Sequence, residues 1–358
     1  MSHGAYDLAI IGAGPAGSAL ALRAARGGAA VLLIDRDCFA KPRFGETAPP
    51  DFRRALAGLK LCSLLERPEI ARDAPSIVSV WGQDEPMERH HITSPFTSAI
   101  HLDRCRFDAA LVREAARAGA AVRLGSRVTI MRGPRDDYRL ELRTAEVAHA
   151  RFLALATGRS ARPGGFRQRR LYLNDHVCLV GYLAGELRDG RTLIEAVADG
   201  WIYAAALPGQ RMVAALTVSA DSVPRNAGAR QAFWQMAIAR SRLVGPVLEG
   251  LSLIGRLHVV NSRASAAARL GGASWCVIGD ARIAPDPLSG QGLLWALDDA
   301  ATLANGLLAS RSETVADELA ARSRSSLSDH CRAAAMIYGM ERRFADAPFW
   351  REAARVKP

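Results

Sequence analysis

The sequence predicts an α/β fold in which a buried, largely parallel sheet carries an inserted antiparallel sheet and a helical C-terminal region. Three observations carry that prediction. The chain opens with a strand, a glycine turn, a helix and a second strand; the stretch from Leu171 to Val260 is strand-rich; and another apolar strand, again followed by a glycine turn and a helix, begins at Trp275.

Tyr6 to Ile11 is a short apolar run ending in glycine, the pattern of a strand buried on both faces. Pro15 to Arg26 is rich in Ala and Leu and stops at Gly27-Gly28, which reads as a helix. Val31 to Ile34 is the second strand, so the chain starts with a βαβ unit. Arg106 to Ala118 reads as a helix, and Val122 to Leu124, Tyr138 to Leu142 and Phe152 to Ala156 as strands. Val177 to Tyr182, Trp201 to Leu207 and Met212 to Val218 are strands separated by turn residues, followed by a helix near Ala229 to Ala239. Trp275 to Ile278 is a buried strand, Ser289 to Leu308 a helix, and Thr314 to Ala345 an amphipathic helix. No repeat or low-complexity linker appears, so the two sheets are interleaved in sequence.

A chain of 358 residues, 49 % hydrophobic and 23 % charged, has the make-up of a globular protein with a full core. No run of about 18 apolar residues occurs, so no membrane span is expected. Without a signal-like N-terminus, and with six scattered cysteines lacking any CxxC pair, the expectation is a cytoplasmic protein with reduced thiols and no metal site. The net charge of +11 and pI near 9.9 fit either an Arg-rich, Ala-rich composition or an anionic partner; no nucleic-acid motif accompanies them. Arg159, Arg162, Arg167, Arg169 and Arg170 form a local excess that reads as a solvated loop or as a docking patch.

Gly12-Ala13-Gly14-Pro15-Ala16-Gly17 is GxGxxG in its required setting, directly after a strand and opening a helix. Gly12 permits the tight turn, Gly14 lets a pyrophosphate approach the backbone, and Gly17 lets the helix pack on the strand. Free N–H groups and the dipole at the helix N-terminus favour the phosphates. Asp35, with Arg36 beside it, closes the second strand, where a carboxylate can bind a ribose. This unit is a Rossmann-type dinucleotide site, and by itself it does not choose between FAD and NAD.

Gly279-Asp280 follows the late strand, and Asp286-Pro287-Leu288-Ser289-Gly290-Gln291-Gly292 opens a helix. This pair resembles the second FAD motif of the p-hydroxybenzoate hydroxylase superfamily, which implies Asp280 on the ribitol and Pro287, Gly290, Gln291 and Gly292 beside the flavin pyrimidine. A helix N-terminus there stabilises the negative charge of a reduced flavin. Arg43-Phe44-Gly45-Glu46-Thr47 looks like the GES-type loop of flavin-dependent halogenases and their hydroxylase relatives, and Arg104 with Phe107, Asp108 and Leu111 resembles the superfamily's R-x-x-FD-x-x-L element, implying Arg43, Gly45 and Arg104 near the cofactor. Ala156-Thr157-Gly158-Arg159, Glu195-Ala196, Asp199 to Ala204 and Leu207-Pro208-Gly209 are similar to the flavoproteins that mature quinone-cofactor amine oxidases by hydroxylating a partner's tryptophan.

Departures narrow the reading. The halogenase W-x-W-x-I-P segment does not occur, and Ser76 to Trp81 lacks the lysine that halogenases carry there, which disfavours halogenation. Thr157-Gly158 replaces the DG pair that serves FAD and NAD(P)H in single-component hydroxylases, which counts against direct reduction by a bound nicotinamide; the expected electron source is NAD(P)H, directly or through a separate flavin reductase. Glu46 is a candidate acid or base, or a capping residue. Asp286 is a candidate proton-transfer group or an N-terminal acid that fixes the flavin-side helix. His101 and His258 read as structural histidines, and Trp81, Trp201, Tyr203 and Trp295 as pocket or core aromatics.

The expected architecture is therefore a Rossmann-type FAD-binding domain (1–72, 101–158 and 263–310), an inserted antiparallel substrate domain (73–100 and 159–262) and C-terminal helices (311–358). The expected function is an FAD-dependent monooxygenase that hydroxylates an aromatic ring through a C4a-hydroperoxyflavin. The indole of a peptide- or protein-borne tryptophan is the first choice, presented by an acidic partner that the Arg159–Arg170 loop attracts. The alternatives are a flavin dehydrogenase or reductase of the geranylgeranyl-reductase-like branch, a halogenase, and a non-catalytic FAD-bound partner protein.

Overall fold

The computed structural model describes residues 4–96, 98–132, 137–159, 166, 169–185, 189–309 and 312–355. Five parallel strands form the centre of the first sheet, in the order Trp275–Val277, Val147–Leu155, Gly4–Ile11, Val31–Ile34 and Ala121–Arg123. An antiparallel hairpin, Val128–Arg132 and Tyr138–Leu142, adds to Val147–Leu155. Register fixes the site: Ile11 lies opposite both Ile34 and Leu155, and Leu155 opposite Val277. The carboxyl ends of four strands therefore stop in line, and their connecting turns form one crevice, the usual ligand position in an open α/β sheet.

The helices Pro15–Arg26 and Gly292–Leu308 cover one face of this sheet, packed through small residues. A Cβ on Gly17 would lie 1.9 Å from the Gly12 carbonyl oxygen, and one on Gly279 would lie 2.8 Å from the Ala16 Cβ. Only glycine lets the two nucleotide-facing turns approach each other this closely.

The second sheet runs Ser252–Leu253, His176–Ala184, Arg211–Ser219, Gly200–Leu207, Thr192–Val197, Ser76–Val80 and Met87–His90, and His258–Asn261 also pairs with His176–Ala184. Alternation along His176–Ala184 assigns its two faces. Leu179 and Leu183 pack under the helices Ala227–Arg240 and Val244–Leu248, and a Cβ on Gly181 would meet Trp234 at 2.7 Å. Cys178, Val180 and Tyr182 point the other way, towards Phe44 and the nucleotide-binding domain. His101 ties the domains together, buried between the Ala206 carbonyl and the Thr192 hydroxyl, each at 2.8 Å.

Element ends shift where caps decide. The helix expected from Arg106 starts at Arg104 because the Asp103 carboxylate accepts from the Arg106 amide at 3.0 Å. The helix expected from Ser289 starts at Gly292, because Pro287–Ser289 forms a separate 3-10 turn that ends on a left-handed Gly290 (φ 63°). The long C-terminal helix, Ser312–Gly339, stops short of Ala345, where Glu341 takes the Gly82 amide and the Arg343 guanidinium. Among the described residues no helix is long and apolar enough to cross a membrane.

Candidate functional site

The crevice begins at the Gly12–Gly17 turn. The helix that follows has no side-chain cap at its N-terminus, so its first amides face the crevice. Gly14 has an ordinary backbone (φ −73°), and a Cβ there would meet only the Arg43 Nη1, at 3.9 Å. Arg43 stacks over Phe39, lies 3.3 Å from Asp108 and 3.9 Å from Asp35, and keeps a buried Nε without a partner. An open cradle under an under-satisfied guanidinium suits a pyrophosphate. At the end of the second strand Asp35 accepts from the Ala13 amide at 2.7 Å and the Asp37 amide at 2.8 Å, with Arg36 exposed beside it.

Two further turns close on this one. Thr157 and Gly158 follow the central strand, so near that a Cβ on Gly12 would sit 2.3 Å from the Ala156 carbonyl oxygen. Gly279 donates to Asp299 at 2.8 Å, and Asp299 is itself paired with buried Arg282. Asp280 is held by the Arg159 Nε at 3.3 Å, and a Cβ on Gly292 would come within 3.6 Å of its Oδ1. Gly290 has nothing within 4 Å of a built Cβ, and the helix from Gly292 is also without a side-chain cap. Two uncapped helix ends and an open glycine turn thus line one crevice. Those features fit FAD: Gly12–Gly17 and Arg43 would hold a pyrophosphate, Asp280 a ribitol hydroxyl, and the Pro287–Gly292 turn would face the flavin ring.

Arg104 organises the loop between the crevice and the second sheet. Its guanidinium grips Asp108 with two bonds of 3.1 Å and donates to the Phe44 and Gly45 carbonyls at 2.7 and 2.9 Å. That grip bends Gly45 into a positive φ of 90° and turns Glu46 inwards. Glu46 is 5 % exposed; its Oε1 accepts from the Tyr182 hydroxyl at 2.7 Å and its Oε2 from the Gly45 amide at 2.9 Å. Burial raises the Glu46 carboxyl above its ordinary value, against the opposing Tyr182 bond and Arg104 charge. The Tyr182 phenol is pushed up by burial and by Glu46. Tyr203 bonds Thr47 at 2.5 Å, and burial pushes the Cys178 thiol up to about 12.

Asp286 sits in a different setting. It is 2 % exposed and accepts from Asn174 at 3.0 Å, the Leu288 amide at 3.0 Å, the Tyr338 hydroxyl at 3.1 Å and His176 at 3.3 Å. Its own amide donates to the His330 Nε2 at 3.0 Å. Both carboxylate oxygens are thus occupied within the protein, so the proton-transfer alternative gives way to a positioning one: Asp286 caps the Pro287–Ser289 turn and anchors it to the C-terminal helix.

The sequence offered none of Tyr182, Tyr338, His176, His330 or the Arg282–Asp299 pair as site residues. Each acts across a long sequence separation, and strand alternation, which puts Tyr182 and Cys178 on one face, was the only available signal. The aromatic expectation divides. Tyr203 lies near Glu46, whereas Trp81 and Trp201 pack in a cluster with Tyr338 and Trp350, and Trp295 sits 6.2 Å from His330. The arginine-loop expectation is corrected in part. Arg170 is buried and bonded to Ser265 and the Ala281 carbonyl, and Arg159 is held by Asp280 and the Arg263 and Pro285 carbonyls. Neither is a free docking charge; Arg169 is exposed, and Arg162 and Arg167 lie outside the described residues.

Fold and crevice together define the class, a two-sheet FAD-dependent oxidoreductase. No protein-family model matches the chain. The myxobacterial chondrochloren halogenase CndH superposes with a TM-score of 0.86 at 24 % identity, over 98 % of this chain and 86 % of that one. QhpG, a peptidyl tryptophan dihydroxylase essential for tryptophylquinone cofactor biogenesis, superposes at 0.79 with 26 % identity, over 97 % and 78 %. Among curated proteins, one from the nifH2 5′ region of Methanosarcina barkeri is 34 % identical over 36 % of this chain and 69 % of its own length. A digeranylgeranylglycerophospholipid reductase of Methanosphaera stadtmanae is 28 % identical over 50 % of this chain, a match spanning 45 % of the reductase. The chain has the fold shared by FAD-dependent halogenases and hydroxylases, the p-hydroxybenzoate hydroxylase-like fold, and is similar to the tryptophan dihydroxylase QhpG.

Proposed function

We propose that the protein is an FAD-dependent monooxygenase that hydroxylates an aromatic ring, the indole of a peptide- or protein-borne tryptophan being the first choice. The observation that carries the reading is the buried Glu46–Tyr182 pair at the seam where the flavin crevice meets the second sheet. When bound, reduced FAD supplies the activation of dioxygen. The chain supplies the surroundings. Tyr203, Cys178 and Val180 roof the seam and keep water out. Glu46, raised by burial, retains a proton on its carboxyl to higher pH than an exposed glutamate, as an acid near the reacting ring requires. The likeness to QhpG along 97 % of the chain supports the tryptophan choice.

Lysine occurs only at Lys41, Lys60 and Lys357, and Lys41 and Lys60 are exposed, which supports oxygen transfer over halogenation. A second reading, reduction of an isoprenoid double bond, is favoured by the partial matches to the archaeal reductases. In the oxygenase reading the electrons come from NAD(P)H, directly or through a separate flavin reductase.

The test is coupling. FAD-loaded protein is supplied with a flavin reductase, NADH, dioxygen and a tryptophan-containing peptide, and hydroxylated peptide is measured against hydrogen peroxide. The proposal expects coupled product, and a lower product-to-peroxide ratio in Glu46→Gln. Absence of oxygenated product together with turnover of a geranylgeranyl lipid establishes the reductase reading instead.

A further inference from the structure

We infer that the groove beside Phe44 is the port to the Glu46 seam, and that it selects a ring carried on an acidic, extended peptide segment; the inference rests on the oxygenase reading above. The groove has a volume of about 450 Å³, within the usual range for ligand sites. One wall is Arg256, Leu257, His258 and Val259, and the other is the start of the helix Ala227–Arg240, with Arg230 and Gln231. Phe44 forms part of both groove and seam. Its ring lies 5.5 Å from that of His258 and 6.4 Å from that of Tyr182, whose hydroxyl reaches Glu46. The rings of Phe44 and Tyr182 therefore lead from the groove to the buried carboxylate.

The lining carries Arg230, Arg256 and His258 and no carboxylate. Arg256 is exposed, and among the described residues neither it nor Arg230 is paired with an acid. Arg230 is nonetheless held in place, donating to the Pro224 and Arg225 carbonyls at 3.2 and 2.5 Å. The first-turn amides of Gly228 and Ala229 are already taken by the Asn226 side chain, so the positive field comes from the guanidinium groups rather than the helix end. Such a rim attracts an acidic partner and weakens with salt.

A peptide is favoured over a free amino acid by the strand that forms one wall. Among the described residues His258–Asn261 pairs with His176–Ala184 alone. Its other edge has no strand partner among the described residues, and adding an extended strand to such an edge is a common way for a sheet to bind a peptide. Exposed Val259 on that strand offers apolar contact next to the charges. The groove therefore replaces the Arg159–Arg170 loop, whose Arg159 and Arg170 are bonded internally, as the surface that reads acidity.

The test uses the FAD-loaded protein and two fluorescein-labelled peptides, each with one central tryptophan, flanked by Asp and Glu in one and by Lys in the other. Fluorescence anisotropy at low and high salt reads binding without turnover. The inference expects the acidic peptide to bind at least tenfold tighter, and salt to erode that preference. Arg230→Glu with Arg256→Glu should abolish it while FAD content and the flavin spectrum stay unchanged. Arg256→Gln, at an exposed position, gives a milder loss if the double reversal disturbs folding. Equal binding of the two peptides, or a preference that survives in the variants, overturns the inference. Tight arginine-dependent binding without oxygen transfer would overturn the oxygenase reading and leave the port. Oxygen transfer to a peptide indifferent to both arginines would do the reverse.

Discussion

Replacing Asp286 by alanine tests how the flavin-side turn is held. The carboxylate is 2 % exposed and satisfies four donors: the Asn174 amide, the His176 ring, the Tyr338 hydroxyl and the Leu288 backbone N–H. Each buried donor left alone costs about 1–3 kcal/mol, but the four do not add, because neighbours re-pair. Asn174 already lies 3.1 Å from His176, and Tyr338 keeps the Trp201 indole at 3.1 Å. Truncating one member of a buried charged network typically costs about 3–5 kcal/mol, which is the loss expected for Asp286→Ala. Tyr338→Phe removes one donor and should cost about 1 kcal/mol. Urea unfolding of apo and FAD-loaded protein, read as a midpoint shift at unchanged slope, measures both. The network also gives an acid limb. Burial works to raise the Asp286 carboxyl, but the bond and charge of His176, the Leu288 amide and His330 outweigh it and hold it below its ordinary value. A depressed carboxylate contributes stability that is present above the unfolded value near pH 4 and is lost as pH falls further. The alanine variant should lack that loss. A destabilisation under about 1 kcal/mol, or an unchanged acid limb, would refute the positioning role.

The first glycine turn separates folding from cofactor binding. Gly14→Val should leave a folded apoprotein that purifies without FAD, because its side chain enters the cradle and meets only Arg43; Gly17→Ala should fail to fold, since its Cβ would strike the Gly12 carbonyl at 1.9 Å. Absorbance at the flavin band and circular dichroism distinguish the two. Burial lowers His101 to about 4, so the stability its neutral form contributes, complete above the unfolded value near 6.5, should fall by roughly 3 kcal/mol as pH drops towards 4. His101→Gln should flatten that slope in pH-dependent denaturation. With chloride or bromide present, turnover should yield hydroxylated product or peroxide alone, and a halogenated product in the mass spectrum would refute the reading of Ser76 to Trp81.

What was legible in the sequence was local. The Gly12–Gly17 and Gly279–Gly292 turns announce themselves because close backbone approach demands glycine at set spacings, and apolar runs mark the strands that precede them. The register that aligns Ile11, Ile34, Leu155 and Val277 could not be read, since apolar strands fit one another in several registers. The Glu46–Tyr182 bond was hidden for a related reason: alternation assigns Tyr182 a face but not the loop opposite. Arg170 shows the reverse failure. A charge in a Gly- and Pro-containing stretch reads as solvated, yet this guanidinium is buried because Ser265 and the Ala281 carbonyl satisfy it. The Asp103 cap likewise moved a helix start by two residues, an error that apolar spacing does not reveal.

The central claim is that this chain places an atom of dioxygen on an aromatic ring, and isotopically labelled dioxygen tests it most directly. FAD-loaded protein, reduced and then mixed with a tryptophan-containing acidic peptide under labelled dioxygen, should give a peptide heavier by one labelled oxygen per hydroxylation, with fragmentation placing the label on the indole. A peptide that returns unlabelled while reduced flavin is consumed, or a substrate that turns over equally without dioxygen, would contradict the account.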